Sequence, residues 1–167
     1  MYAPFDAMPG HTRLWIYQAS RPLTSVEKER IQAGLRNLCD GWMAHGTPLH
    51  TSYDIQFDQF IILAVDEETS GVSGCSIDGS VRHLKGLQEA GLDFFDRSKV
   101  AFLTDKGTVA TYRLADLKTL LEKGTLSPNA ITFNNLVLTK SEWNDHWRVP
   151  LKSSWLADHL SKTEVVK

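Results

Sequence analysis

The sequence is short of most features that would announce a function. Of its 167 residues only two are cysteine, Cys39 and Cys75. Two thiols cannot staple a domain of this size, and Met1–Gly10 lacks the basic and apolar segments of a secretory leader, so the expected setting is cytoplasmic. Neither charge sign is in excess: 18 basic against 20 acidic side chains give a formal net charge of −2. Without a broad cationic field, a nucleic-acid partner is not expected. The longest apolar run, Phe60 to Val65, falls far short of the roughly 20 residues that span a bilayer, so no membrane partner is expected. Gly-Lys-Ser, Gly-Lys-Thr and Gly-x-Gly-x-x-Gly are absent, which removes the phosphate-cradling nucleotide motifs. Paired Cys or His zinc spacings and the alternating-oxygen calcium loop are also missing, and the acidic group Asp66, Glu67, Glu68 and Asp78 reads as a solvated strand end and a helix start. No metal and no cofactor are expected. What the chain does have is 42% hydrophobic residues and five tryptophans, enough to bury the core of one domain over 1–167.

Hydropathy patterning predicts an α+β fold. Leu14, Trp15, Ile16 and Tyr17 form an apolar run suited to a buried strand. Thr24 with Glu27 is a capping box, and Ile31, Leu35, Leu38 and Trp42 then recur on one helical face, with Gly46 as a fitting stop. Ser52 to Asp58 alternates strictly, as a half-exposed strand does, whereas Phe60 to Val65 has no polar interruption and reads as central. The link near Asp58 and Gln59 lacks the glycine of tight hairpins. Ile77, Val81, Leu84 and Leu87 resume helical spacing. Val100 to Leu103 and Val109 to Leu114 predict a hairpin about Asp105-Lys106-Gly107, followed by a helix near Ala115 to Lys123. The first six of these elements match the ferredoxin-like split pattern βαββαβ, with an extra strand completing a core over 12–114. A Trp-rich helical extension over 115–160, with Thr139 and Glu142 as a second capping box and Trp143, Trp147 and Trp155 beyond it, is expected to cover the second sheet face.

Cys75 is the sharpest chemical candidate. A thiol at a helix start meets unpaired amides and the positive dipole end, both of which favour thiolate. The preceding Ser70-Gly71-Val72-Ser73-Gly74 lets backbone approach a ligand, and the same amides form an anion site whether or not sulfur takes part. Ser70, Gly71, Ser73, Gly74, Ser76 and Asp78 are therefore the expected ligand-binding residues. A nucleophilic Cys75 needs a base, and His45 or His50 is the nearest supplier; His83, about 12 Å along the helix, is too far for a direct hydrogen bond. Cys39 joins the apolar helix face and reads as packing.

Leu14-Trp-Ile-Tyr-Gln18, Trp42-x-x-His45-Gly46, Ser73-Gly-Cys-Ser-Ile-Asp78, Phe133-Asn-Asn-Leu136 and Val149-Pro-Leu-Lys-x-Ser-Trp155 together resemble an uncharacterised family of small bacterial proteins that often carry the label "ABC transporter ATPase". The resemblance implies no particular activity, and the label conflicts with the missing lysine loop. The expected function is binding of a small anionic molecule or peptide at residues 70–78. The alternatives are a Cys75-dependent thiol enzyme or redox protein, and an interaction subunit using the Trp-rich C-terminal surface. Oligomeric state is left open.

Overall fold

The structure, a computed structural model, describes residues 1–44, 46–67, 81–82, 84–86 and 92–160. It is mixed helix and strand with antiparallel sheets. The described residues fall into two compact units, one formed from Met1–Phe95 and Asn135–Asn144, the other from Asp96–Asn134 and the chain from Asp145 onward.

The first unit is built on three antiparallel strands: β1 (Arg13–Gln18), β4 (His50–Gln56) and β5 (Phe60–Asp66), in the order β1-β5-β4. Between β1 and β4 the chain makes the long helix α1 (Ser25–Gly41) and a small two-stranded ribbon, β2 (Met43–Ala44) with β3 (Thr47–Pro48). The uninterrupted apolar run makes β5 the central strand, because every residue from Phe60 to Val65 is fully buried. Pleating divides those side chains between two faces. Ile61 and Leu63 pack with Ile31 and Leu35 of α1 and with Leu84, Leu92 and Phe94. Ile62 and Ala64 pack with Leu14, Phe5 and Trp143 on the other side. Each large aliphatic side chain so buried contributes about 1.5–3 kcal/mol relative to exposure.

The capping box forms as expected. Thr24 Oγ1 accepts from the Glu27 amide, and the Glu27 carboxylate accepts from the Thr24 amide. The far end of α1 differs from expectation, since the helix stops at Gly41 rather than near Gly46. Trp42 turns to extended backbone so that its ring joins Leu49 and Val65 instead of continuing the helical stripe. Gly46 serves the ribbon turn, where its φ of 78° suits glycine.

The second face of the sheet is closed from both directions of the chain. Phe5, on a 3-10 turn (Phe5–Ala7), meets Trp143 edge-on at 5.3 Å between ring centroids. Trp143 lies on the helix Lys140–His146, whose approach is fixed by backbone bonds: Leu14 N to Leu138 O at 2.9 Å and Lys140 N to Thr12 O at 2.9 Å. The Lys140 ammonium donates to the carbonyls of Phe5, Asp6 and Met8 at 2.8, 3.0 and 2.7 Å, holding the N-terminal turn down.

The second unit contains a separate sheet in the order β7-β6-β8-β9: β6 (Lys99–Leu103), β7 (Val109–Arg113), β8 (Ile131–Phe133) and β9 (Arg148–Pro150). This corrects one expectation. The ferredoxin-like pattern makes Val100 to Leu103 the fourth strand of the β1 sheet; it pairs instead with β7 and β8, and the outer edge of β1 is met by Leu138 and Thr139. The physical reason is local. The hairpin partner β7 and the helix Leu117–Glu122 supply β6 with both an edge and an apolar cover, as Val100 and Phe102 cluster with Leu117, Leu121, Leu151 and Leu156. The hairpin turns at Gly107, with φ of 76°, as Asp105-Lys106-Gly107 predicts. Leu136 to Leu138, whose apolar character suggests a short strand, forms none.

Candidate functional site

Most of the residues singled out in the sequence, Ser70, Gly71, Ser73, Gly74, Cys75, Ser76, Asp78 and His45, lie outside the described residues. His50 is described. It opens β4 on an exposed position directly opposite Asp66, the last residue of β5. At the same strand end His11 Nε2 lies 2.9 Å from Asp66 Oδ1. Sequence reasoning misses His11; nothing in its surroundings, Gly10 and Thr12, marks it, and only tertiary folding brings it to Asp66.

Cys39 is structural. Its side chain is fully buried on α1, and burial pushes the thiol up to about 11, the nearby Thr51 hydroxyl only partly opposing that rise. Among the described residues no cluster of three His, Cys, Asp or Glu side chains could hold a metal ion, and no helix is long and apolar enough to cross a membrane. Of the three C-terminal tryptophans, Trp143 and Trp147 are built into cores, the latter stacked obliquely on Phe133 at 4.7 Å. Trp155 is 55% exposed.

A second location is visible only in three dimensions. In the second unit Ser98, Arg113, Leu114, Ala115, Lys118 and His159 line a cleft of about 590 Å³, within the usual range for small-molecule sites. Its construction follows from the chain. Leu114 N donates to Ser98 O at 2.7 Å, closing the β6–β7 ladder. A 3-10 turn (Leu114–Asp116) then leads into the helix Leu117–Glu122, which sets Arg113 and Lys118 around an apolar floor of Leu114 and Ala115. His159 closes the 3-10 helix Trp155–His159, anchored by fully buried Leu156 in the cluster that holds Leu117.

The polar groups of the cleft are unequally occupied. The Asp116 carboxylate accepts from Arg113 Nε at 3.0 Å and Nη2 at 3.3 Å, which raises the guanidinium further above its ordinary value. Ser98 donates through its hydroxyl to Asp96 at 2.5 Å, and its amide donates to the same oxygen at 2.9 Å. Those bonds hold the Asp96 carboxyl below its usual range. The side chains of Lys118 and His159, which line the cleft, make no hydrogen bond or ion pair with other described residues. Two cations and an imidazole over an apolar floor can attract and orient a negatively charged group. Comparisons with protein-family models, with curated proteins and with solved structures found no match.

Proposed function

We propose that this protein binds a small anionic molecule, and that the cleft formed by Ser98, Arg113, Lys118 and His159 is where it binds. The observation that carries this reading is the gathering of three separate stretches of the chain, Ser98, the Arg113–Lys118 segment and His159, around one cleft of about 590 Å³. The charged side chains are exposed and screened by solvent, so each adds modest affinity, and their convergence supplies the selectivity. The test is an amide-resonance titration of the full chain with a panel of small carboxylates and phosphates. Shifts concentrated at residues 98, 113–118 and 159, weakened by Arg113→Ala and by Lys118→Ala, support the assignment. Saturable binding that these substitutions leave unchanged would sink it.

The Gly/Ser loop of residues 70–78 is proposed as a second anion site, with Cys75 as a thiol nucleophile in the enzymatic version. His50, opposite Asp66 at the end of the strand that precedes this segment in the chain, is the base proposed for that version. Gly74→Val then weakens anion binding without unfolding the chain. Alkylation of Cys75 with an ordinary thiol pKa near 8.5 argues against a catalytic sulfur.

A further inference from the structure

The charge balance of the cleft specifies which kind of anion it takes; this inference rests on the cleft being the binding site. Asp116 cancels the charge of Arg113, and with histidine counted neutral Lys118 is the one uncompensated charge among the described lining side chains. A further carboxylate, Asp96, is hydrogen-bonded to the lining residue Ser98. A dianion entering here meets about one net positive charge once Asp116 is set against Arg113, and Asp96 adds repulsion to its second charge. A monoanion is matched. The donor geometry agrees. Asp116 engages Nε and one N–H of Nη2, which leaves Arg113 an end-on pair of donors, on Nη1 and Nη2, spaced for the two oxygens of a carboxylate. Leu114 and Ala115 provide an apolar surface beside that fork, so the body attached to the carboxylate is itself apolar.

We propose that the cleft selects a monocarboxylate carried on an apolar body over a phosphate monoester with the same body, and that Asp116 is the positioning residue that sets this preference. A matched series isolates the headgroup: octanoate, octyl phosphate and octanol, each titrated into the full chain at neutral pH and low salt and followed by amide resonances. Octanoate should bind about fivefold or more tightly than either of the others, and Lys118→Ala should weaken it about tenfold, the scale of one charge-assisted hydrogen bond. Asp116→Asn keeps an oxygen acceptor for Arg113 Nε while deleting the negative charge. It should shift the preference toward octyl phosphate by about fivefold, as expected for one unit charge roughly 4 Å away in a water-like medium, a change that a merely structural role for Asp116 does not produce.

The outcomes separate the two levels of inference. Tighter binding of octyl phosphate than of octanoate to the unmodified chain overturns the headgroup preference and leaves an anion-binding cleft standing. An unchanged preference in Asp116→Asn overturns the role of that carboxylate. Octanol binding as well as octanoate, or no perturbation at 98, 113–118 and 159, overturns the anion cleft and the inference built on it.

Discussion

The two units spend similar sequence resources in opposite ways. In the first, the central strand β5 is buried along six consecutive residues, and cover arrives on both faces from α1 and from the Phe5–Trp143 pair. In the second, the sheet has its apolar cluster on β6, while its edge strand β7 carries only partly buried or exposed side chains and runs directly into a cationic cleft. Burial on all sides fixes a strand but leaves nothing accessible to a ligand; an edge gives up packing and gains polar groups that can be presented. The first unit is thus expected to respond to mutation through stability, and the second, around its cleft, through binding.

The largest stability effect should come from the first unit's core. Leu35→Ala removes a fully buried side chain that packs beneath Ile61 and Leu63 and should cost about 2–5 kcal/mol in denaturant unfolding. A loss below about 1 kcal/mol would mean that α1 is far less firmly seated than its burial implies. Next is Lys140→Met, which strips the ammonium from three carbonyls of the N-terminal turn. It should cost about 1–3 kcal/mol and increase hydrogen exchange around Met8. Thr24→Ala, which opens the capping box, should cost about 1 kcal/mol.

Acid titration sharpens the same region. Hydrogen bonds from Arg21, then from the Thr24 amide, lower the Glu27 carboxyl to about 2 from an ordinary 4.5. Because the folded value is the lower one, its stabilisation is complete above the ordinary value and disappears as pH falls from there toward about 2. Glu27→Gln should flatten the stability profile in that window; an unaltered acid limb would rule out the Arg21–Glu27 pair as a contributor. The smallest stability effect belongs to the second unit, where Asp116→Asn breaks a solvent-exposed pair and should leave the unfolding midpoint within error while changing ligand preference.

A control on the thiols completes the contrast. Cys39, with its thiol pushed up to about 11 by burial, should resist alkylation at pH 8 in the native chain and react only on unfolding. Labelling of native Cys39 at the rate of a free thiol would show that α1 opens readily.

Legibility in the sequence depended on whether the information was local. The capping box at Thr24 and Glu27, the central character of Phe60 to Val65, the hairpin at Gly107 and the packing role of Cys39 are short-range signals, and the structure shows all four. The destination of β6 was not legible, because an apolar strand of five residues carries no mark of which sheet it joins; its nearest cover decided that. Trp42 left the helical stripe for the same reason, drawn by Leu49 and Val65, which lie beyond the window of a periodicity argument. The cleft had no sequence signature, since Ser98, the Arg113–Lys118 segment and His159 converge only through the β6–β7 ladder and the seating of Leu156. The site read from residues 70–78 falls outside the described residues.

The hairpin between β4 and β5 turns at Phe57 and Asp58, with φ of 54° and 53°. Two consecutive positive values mark the I′ geometry that Asn-Gly adopts cheaply; Asp58 tolerates the left-handed region, but the bulky Phe57 does not. The turn is held from outside: Leu23 N donates to Asp58 O, Lys28 reaches the Asp58 carboxylate at 2.7 Å, and Gln59 Nε2 donates to Ala19 O. A hairpin whose bend is locally unfavourable cannot set its own register early in folding. β4 and β5 are therefore expected to align after the start of α1 and the segment before it are in place. Asn-Gly in place of Phe57-Asp58 would free the hairpin from that sequence of events, and refolding should accelerate even though Lys28 would then have no carboxylate at residue 58 to hold.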